Sequence, residues 1–340
     1  MRDNAERMKE TLRYLADTDL LVTGSSGLIG SAMVDFLAYI DENLGIHMKI
    51  YAAGRDTRYI KDRFGIWKNV YPLQYVAEEF EPDGRHFDYI IHCAGSAHPE
   101  AFRKTPVETM RVNFIGMDKI LECAVKSSRP CRVLYVSSSE VYGRRPESRQ
   151  ALYTEDNYYM VDVLNARGCY PSSKRAAENL CSSYIEEYGA DVVIARPGHV
   201  YGATMQEKDS RASSKFVHDV LDGKDIIMKS PGDQLRSYCY VMDCVTAMTA
   251  ILVKGSCGEA YNISNDDSIV TIRQFADELA GQTGRSVIFQ NPSDEEKKGY
   301  NLMDISALDA GKLKTLGWRG MYGLKEGIDA TLKMLGVRKY

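Results

Sequence analysis

Several features that would mark other classes of protein are missing from this sequence of 340 residues. No apolar run approaches the roughly 20 residues that a membrane-spanning helix needs. The first residues are polar and mixed in charge, and they lack the apolar centre of a signal peptide. No long basic block occurs and the formal net charge is −4, which points to neither nucleic acid nor an acidic membrane surface as a partner.

Metal and disulfide signatures are also missing. The eight cysteines and six histidines are scattered, and no C-x-x-C pair occurs. That pattern is typical of free thiols in a reducing compartment rather than of a disulfide framework or a zinc site. We therefore expect a cytoplasmic protein without a metal centre.

Short apolar runs alternate with longer amphipathic stretches along the first 200 residues. Strands are predicted at 19–23, 48–53, 88–94, 132–137 and 191–196, and helices at 27–39, 108–126 and 170–188. This alternation predicts βαβ units, and hence an α/β fold with a parallel sheet that is covered on both faces. Ahead of it, Met8, Leu12 and Leu15 have helical spacing, which predicts an added amphipathic helix within residues 1–18.

A glycine-rich segment follows the first predicted strand, with the spacing G-x-x-G-x-x-G. Glycines permit a tight turn and a close approach to a pyrophosphate, and the next helix N-terminus favours the anion. The position between the first strand and the first helix predicts a loop that binds a dinucleotide coenzyme. The residues of this loop that we expect to contact the coenzyme are Gly24, Ser26, Gly27, Leu28, Ile29 and Gly30.

The end of the second strand should contact the adenosine ribose, where an acidic residue would favour NAD. The sequence has Gly54 there, followed by Arg55 and Asp56. Arg55 could bind a 2′-phosphate and favour NADP, stack on adenine, or lie in solvent. Because Asp56 could still reach the ribose, the sequence leaves both NAD and NADP open.

Tyr170 and Lys174 have the spacing Y-x-x-x-K, which places both side chains on one face of a predicted helix. A tyrosine with a pKa of roughly 10 is a poor base at neutral pH. A nearby ammonium group and a cationic nicotinamide ring would stabilise the phenolate and lower that pKa. Such a tyrosine can accept a hydroxyl proton while hydride leaves the same carbon.

Serines 137 to 139 and Glu140 directly follow the strand at 132–137. Ligands of open α/β sheets bind beyond the carboxyl ends of the strands, so a hydroxyl there can bind the reacting oxygen. A turn that caps its own backbone is the structural alternative. Together with Tyr170 and Lys174, the segment predicts Ser138 as a catalytic residue.

These motifs together resemble the extended short-chain dehydrogenases/reductases, and among them the NAD(P)-dependent nucleotide-sugar epimerases and dehydratases. The resemblance leaves out only residues 1–18. Further motifs that carry it are V-N-F-I-G at 112–116, S-S-S-E-V-Y-G at 137–143, R-P-G-H-V-Y-G at 196–202, R-S-Y-C-Y-V at 236–241, E-A-Y-N-I at 259–263 and L-G-W at 316–318.

The resemblance implies a doubly wound Rossmann domain at 19–196, to which about 237–263 return. A smaller, discontinuous substrate lobe would comprise 197–236 and 264–340, after the helical extension at 1–18. It further implies a tightly bound and recycled NAD or NADP and a nucleoside-diphosphate sugar as substrate. A homodimer through the helices at 108–126 and 170–188 is also implied.

The resemblance also assigns roles to residues. Ser138 and Tyr170 would bind the oxygen at sugar C4, which is oxidised first, and Lys174 would orient the coenzyme ribose and tune Tyr170. Arg236 matches an arginine that binds the diphosphate, a role that suits a bidentate guanidinium; a surface salt bridge is the alternative. The expected coenzyme contacts outside the glycine loop are Arg55, Ala94, Asn113 and Lys174, with Asn113 largely supporting the active-site helix.

Members of this family differ in the reaction of the 4-keto sugar once it has formed. Epimerases need no further acid or base, whereas 4,6-dehydratases carry Asp-Glu where this sequence has Ser139-Glu140, and serine is a poor proton donor. UDP-glucuronate decarboxylases carry Ser-Glu at this place, which makes Glu140 a candidate catalytic residue. We therefore expect decarboxylation, with 4-epimerisation as the alternative and 4,6-dehydration third.

The remaining expected substrate contacts are Ser139, Arg167 and His199. Arg167 could bind a sugar carboxylate, cap a helix or pair with Glu178. His199 stands where an asparagine usually contacts the substrate, and could instead be a packed, hydrogen-bonded histidine. A free-coenzyme dehydrogenase would reduce its coenzyme in net turnover, and a non-catalytic coenzyme-binding protein would lack the catalytic serine, tyrosine or lysine.

Overall fold

The computed structural model describes residues 1–145, 152–293, 303 and 305–336. The helices in these residues are α1 (Arg2–Arg7), α2 (Lys9–Leu12), α3 (Leu28–Leu44), α4 (Thr57–Phe64), α5 (Pro99–Lys104), α6 (Pro106–Lys126), α7 (Cys169–Tyr188), α8 (Ala212–Leu221), α9 (Val241–Lys254), α10 (Ile272–Thr283), α11 (Gly311–Thr315) and α12 (Leu324–Met334). The strands are β1 (Asp19–Thr23), β2 (Lys49–Gly54), β3 (Val70–Gln74), β4 (Tyr89–His92), β5 (Arg132–Val136), β6 (Asp191–Pro197), β7 (His199–Tyr201), β8 (Ile226–Met228), β9 (Leu235–Tyr240), β10 (Ala260–Ile263), β11 (Ile269–Thr271), β12 (Val287–Phe289) and β13 (Ile305–Ser306).

Seven parallel strands form the central sheet, in the order β10-β6-β5-β4-β1-β2-β3. Leu20, Leu21 and Val22 of β1 are buried on both faces of the sheet, as expected where helices cover both sides. The strand order reverses between β1 and β4, and ligands bind at such a switch point outside the carboxyl ends of the strands. The predicted doubly wound parallel sheet is confirmed.

One edge of the sheet departs from the sequence prediction, which contains neither α4 nor β3. β3 reads Val-Tyr-Pro-Leu-Gln, and Leu73 is its one buried side chain. An edge strand with one buried residue has no apolar run to reveal it, and a proline is tolerated there because one side of the strand is unpaired. The predicted helix at 27–39 continues to Leu44 and ends at Gly45, which has a left-handed backbone with φ of 63°.

The N-terminal segment forms two short helices instead of the single predicted helix. The helical run breaks at Met8, between α1 and α2, and a 3-10 turn follows at Arg13–Leu15. Neither helix has a side-chain cap, and helices of six and four residues are too short to be stable without tertiary contacts. Met8, Leu12 and Leu15 nevertheless join the main core, as their spacing predicts, and α2 packs against α9.

A smaller sheet forms after β6. Its central strand β9 pairs with β7 and β13 in parallel and with β11 in the antiparallel direction. The chain then returns to the central domain through α9, which packs on α3, and through β10, which pairs with β6. Residues 237–240 belong to β9, whose pairing partners β7 and β11 lie in the smaller sheet, and Val241 begins α9. The division into two lobes stays a prediction.

Candidate active site

The glycine loop packs tightly against the end of β4. Gly24 has a φ of +69°, and a Cβ on it would lie 2.8 Å from the Ala94 nitrogen. A Cβ on Gly30 would overlap the Gly24 carbonyl oxygen. Gly27 precedes α3 without a side-chain cap, so the first N–H groups of α3 can meet a pyrophosphate. This cradle fits a dinucleotide coenzyme.

A second segment lies over the glycine loop. The Gln206 side-chain nitrogen donates to the Ser26 carbonyl, and the Thr204 hydroxyl donates to the Leu28 carbonyl at 2.8 Å. The residues around 202–211 therefore cover the predicted pyrophosphate site. No glycine or strand pattern marks this cover in the sequence, and we find it only from the contacts.

The end of β2 lies beside the glycine loop, as predicted for the ribose-binding position. A Cβ on Gly54 would lie 3.9 Å from the Ser26 hydroxyl oxygen. Asp56, however, is the N-cap of α4, and its Oδ1 accepts from the N–H groups of Arg58 and Tyr59 at 3.0 and 3.1 Å. Arg55 is exposed. The Asp56 carboxylate therefore serves as a helix cap here, and the ribose role of Arg55 stays a prediction.

Ser138, Tyr170 and Lys174 meet at the carboxyl end of β5. The Lys174 ammonium donates to the Val136 carbonyl at 2.8 Å and lies 6.0 Å from the centre of the Tyr170 ring. Burial lowers the pKa of Lys174 to about 8. Burial raises the pKa of Tyr170 to about 12, although a hydrogen bond with the Ser138 side chain opposes this rise.

The pKa of Tyr170 therefore moves opposite to the sequence expectation. The expected lowering invoked the ammonium group together with a cationic nicotinamide ring. In the chain without coenzyme, desolvation of the buried phenol is the largest influence on the pKa. Without the ring's positive charge, the tyrosine stays protonated at neutral pH.

Arg167 pairs with Glu140 and not with Glu178, which is one of the alternatives that the sequence leaves open. Arg167 Nη2 donates to Glu140 Oε1 at 2.9 Å, and Arg167 Nε is buried without a partner in the described residues. Glu178 instead accepts two hydrogen bonds from Arg196, at 2.9 and 2.6 Å. The reason is geometric, since β6 places Arg196 beside α7, whereas Arg167 lies in the 3-10 turn ahead of α7.

Phe102 is a site residue that the sequence analysis does not identify. Its ring stacks on Tyr170 with 4.5 Å between ring centres, and the Arg167 guanidinium lies 4.7 Å from its centre. Phe102 lies on α5, a six-residue helix after β4. No spacing rule connects this helix to a tyrosine 68 positions later, so the contact emerges only from the fold.

Arg236 and His199 lie on paired strands at the far side of the site. Arg236 is buried rather than at the surface, and it donates to the carbonyls of Leu235 and Met303 at 2.9 and 2.8 Å. Burial and the charges of Arg236 and Arg211 hold the pKa of His199 well below its usual range. His199 Nδ1 is buried without a hydrogen-bond partner in the described residues, so the histidine is packed but not fully bonded.

Three further residues with predicted contacts, Ser139, Asn113 and Ala94, each form a hydrogen bond with a hydroxyl group. The Ser139 hydroxyl accepts from Ser306 at 3.3 Å. Asn113 on α6 donates to the Ser173 hydroxyl on α7 at 3.0 Å, which agrees with a supporting role. The Ala94 N–H donates to the Thr23 hydroxyl at 3.2 Å, beside the glycine loop.

These side chains line one cleft of about 830 Å³, a volume within the range of small-molecule sites. Besides Arg167 and Arg236, the cleft is lined by Arg211, Lys215 and Lys229. Several cations among the lining residues suit a ligand with a diphosphate, although Arg211 is paired with Asp209 of the same lining. Lys174, Tyr170 and Ser138 occupy the other end, where the cleft meets the strand ends.

Known proteins share the region that contains these motifs. Residues 20–264 match the NAD dependent epimerase/dehydratase family. The chain belongs to this family. It is 31% identical over 318 residues to UDP-glucuronic acid decarboxylase 6 of Arabidopsis thaliana, and the match covers 93% of this chain and 88% of that relative.

Solved structures show the same fold. UDP-glucose 4-epimerase of Thermotoga maritima, solved with UDP-glucose, has a TM-score of 0.78 at 23% identity, over 93% of this chain and 97% of that one. UDP-glucuronic acid 4-epimerase of Bacillus cereus, solved with UDP-glucuronic acid and NAD, has a TM-score of 0.76 at 19% identity, over 93% and 98% of the two chains. These structures confirm the predicted fold, and the family match confirms the predicted resemblance and the nicotinamide coenzyme of the family.

The family assignment is compatible with the rest of the described residues. All eight cysteines are free thiols. In the described part of the chain, no three His, Cys, Asp or Glu side chains are grouped so as to hold a metal ion. Within the same residues, every helix is too short or too polar to cross a membrane.

Proposed function

We propose that this enzyme uses bound NAD to oxidise C4 of a nucleotide sugar of the UDP-glucuronic acid type and then decarboxylates it. The observation that carries the proposal is the placement of Ser138, Tyr170 and Lys174 beside Ser139 and Glu140 in one cleft. The near full-length similarity to a UDP-glucuronic acid decarboxylase supports the same reaction.

The glycine loop and the N-terminus of α3 would hold the coenzyme pyrophosphate. The nicotinamide supplies a hydride acceptor and later a hydride donor. Tyr170 accepts the proton of the C4 hydroxyl, and Ser138 holds the same oxygen. Lys174, whose ammonium is 6.0 Å from the Tyr170 ring centre, offers positive charge to the phenolate and a donor to the coenzyme ribose.

Loss of carbon dioxide becomes possible once C4 is a ketone. The bond between C5 and the carboxyl carbon breaks, and its electron pair moves onto the C4 oxygen as an enolate. Ser138 and the protonated Tyr170 donate hydrogen bonds to that oxygen, where the charge develops. A proton from solvent then adds to C5 and re-forms the C4 ketone. Hydride returns to C4 while Tyr170 returns its proton to the C4 oxygen, so the coenzyme leaves the cycle unchanged.

Arg167 is the group we assign to the sugar carboxylate. Its Nη2 is engaged by Glu140, while its buried Nε has no partner in the described residues and lines the same cleft. A guanidinium donates to carboxylates with matched geometry. Glu140 holds this guanidinium in place, and Arg236 with Lys229 would contact the diphosphate at the other end.

A 4-epimerase acting on a nucleotide sugar is the second candidate, and one observation favours it. Ser139 accepts from the Ser306 hydroxyl, so two neutral groups stand next to the catalytic segment. An epimerase needs no further acid or base there. The 4,6-dehydratase ranks third, since Ser139 is no proton donor for loss of water.

A substrate panel tests the proposal. Purified holoenzyme is incubated separately with UDP-glucuronic acid, UDP-glucose and dTDP-glucose, and the products are analysed by mass spectrometry and chromatography. We expect conversion of the uronate to a UDP-pentose or its 4-keto form. An unchanged uronate contradicts decarboxylation; isomerisation at unchanged mass then identifies the epimerase, and a dehydrated hexose identifies the dehydratase.

We also propose that two copies pair through α6 and α7. Val107, Met110 and Phe114 follow one another along one face of α6 and are exposed, with 65%, 45% and 41% of their surface accessible. Burying this face against its own copy would remove apolar surface from water. The free state of all eight cysteines supports the cytoplasm as the proposed location.

A further inference from the structure

A second cavity lies where the N-terminal segment meets α9 and the residues around 316–321. Its volume is about 310 Å³, and we call it the N-terminal pocket, lined among others by Asn4, Arg7, Lys254, Trp318 and Arg319. Lys254 ends α9 shortly before β10 begins, so the pocket lies at the amino-terminal edge of the sheet. The catalytic cleft lies at the opposite, carboxyl-terminal edge.

Three cations line this pocket, and among the described residues its lining contains no acidic side chain. Lys254 Nζ donates to the Leu316 carbonyl at 3.5 Å, and Arg319 Nη1 donates to the carbonyls of Lys314 and Trp318, both at 2.9 Å. These bonds fix the two cations at the pocket wall. Lining groups of one charge sign concentrate positive potential in a concave site.

Arg7 completes the cluster from the N-terminal segment. The carboxylate whose pKa Arg7 influences is Asp243, which lies outside the lining and is fully buried. Asp243 accepts from the N–H groups of Met321 and Tyr322 at 2.9 and 3.1 Å. That carboxylate accepts from the backbone of 321–322 and from the Asn265 side chain, and it lies behind the pocket lining rather than in it.

The side chain of Asn4 is a second indication, independent of the cations, that this pocket binds a ligand. This side chain is fully buried and lines the pocket. The amide interacts with the Tyr322 hydroxyl, but neither its nitrogen nor its oxygen has a partner at full hydrogen-bonding geometry in the described residues. Buried amides are nearly always paired, because desolvation without a partner costs free energy. A ligand oxygen in the pocket would pair the Asn4 nitrogen.

We propose that the N-terminal pocket binds the phosphate group of a small phosphate ester. Arg7, Lys254 and Arg319 match the charge of a phosphate dianion, and Asn4 donates to one of its oxygens. The volume lies at the lower end of small-molecule sites, which suits a phosphate with a few attached carbons rather than a nucleotide sugar. Bound there, the ligand ties α1 to α9 and to the turn at 316–319.

Tryptophan fluorescence gives a local test, because the chain has two tryptophans and Trp318 lines the pocket. In a Trp67→Phe holoenzyme with the catalytic cleft saturated by UDP, inorganic phosphate and glycerol 3-phosphate are titrated separately. Potassium chloride at matched ionic strength serves as the control. We expect a saturable change in Trp318 emission with both phosphates and none with chloride.

Two variants connect the signal to the pocket. Arg7→Gln should weaken glycerol 3-phosphate binding at least tenfold, and Arg319→Gln should do the same. Arg13→Gln removes one exposed arginine of the same segment outside the pocket, and should leave the affinity unchanged. Melting curves of all variants establish that each is folded.

Three results would overturn the proposal. The first is a change that chloride reproduces or that does not saturate. The second is an equal loss of affinity in Arg13→Gln, which would indicate general charge attraction. The third is binding of inorganic phosphate without glycerol 3-phosphate. None of these depends on turnover, so the test is independent of the proposed reaction.

Discussion

Arg167 Nη2 lies 2.9 Å from Glu140 Oε1, and both side chains are largely shielded from solvent. The pair connects the turn before α7 to the segment after β5, next to Tyr170. Burial raises the pKa of Tyr170, and Glu140 adds to this rise while Arg167 opposes it. The charges of Glu140 and Arg167 therefore influence both the binding of the proposed substrate carboxylate and the pKa of Tyr170.

Arg167→Gln should lower kcat/KM for UDP-glucuronic acid by roughly 100-fold, in the range expected when one partner of a shielded charge pair is removed. The substitution takes away the proposed carboxylate ligand and leaves the negative Glu140 facing the sugar carboxylate. Steady-state kinetics with the uronate, together with UDP affinity measured by titration calorimetry, check this outcome. UDP affinity should be unchanged.

The Arg196–Glu178 pair provides the matched control, since it lies outside the cleft lining and Arg196 is buried. Glu178→Gln should lower the free energy of unfolding by about 3 kcal/mol, because it leaves a buried guanidinium without its anion. Its KM for the uronate should stay near the wild-type value. An unchanged kcat/KM in Arg167→Gln would refute the carboxylate assignment.

Tyr170→Phe should reduce kcat by about 10²- to 10⁴-fold, the usual contribution of a positioned acid or base. The coenzyme should remain bound, because the glycine loop is untouched. Tyr184→Phe removes a hydroxyl from the same helix, where Tyr184 donates to Asp118 at 2.7 Å, and should retain near wild-type turnover. Comparable activity in the two variants would exclude Tyr170 as the base.

The sequence predicts those elements that are marked by a pattern of neighbouring residues. Glycine spacing, apolar strand runs and the Tyr170–Lys174 spacing each lie within a few residues, and each element forms close to the predicted place. The edge strand β3 is missed because Leu73 is its one buried side chain. Which residues of such a strand are buried depends on the elements packed around it, and a short sequence pattern does not contain that information.

Contacts between distant segments account for the remaining differences. The stack of Phe102 on Tyr170 and the pairing of Arg167 with Glu140 join segments that the sequence separates. Glu178 lies eleven positions after Arg167, whereas side chains that meet along a helix are three or four positions apart, so spacing does not support that pairing. The partner is decided by how β5 and β6 lie against α7.

The pKa of Lys174 predicts a pH dependence of stability in the coenzyme-free chain. Burial lowers this pKa from 10.5 to about 8, so the unfolded chain binds more protons between these values. The free energy of unfolding contributed by Lys174 therefore rises as the pH rises from about 8 towards 10.5. Urea unfolding of wild type and Lys174→Met at about pH 8 and pH 10 measures it.

The stability difference, wild type minus Lys174→Met, should increase between these two pH values. Lys215→Met removes an exposed lysine and should follow the wild type throughout. A stability difference that is constant or decreases as the pH rises would contradict the conclusion that burial lowers the pKa of Lys174.

Phe114→Glu should convert the proposed homodimer to a monomer, because it places charge in the apolar face of α6. Light scattering after size-exclusion chromatography measures the mass in solution. Tyr59→Glu changes an aromatic residue of similar exposure on α4 and should leave the dimer intact. A wild-type monomer would refute the pairing, as would a dimer that persists in Phe114→Glu.

The most direct test of the proposed reaction uses UDP-glucuronic acid deuterated at C4 with the purified holoenzyme, followed by mass spectrometry. We predict a UDP-pentose that has lost the carboxyl carbon and kept the deuterium, since the hydride leaves C4 and returns to it within one cycle. A product of unchanged mass with inverted C4, or an unconverted uronate, would contradict decarboxylation. Loss of the label would contradict internal recycling of the coenzyme.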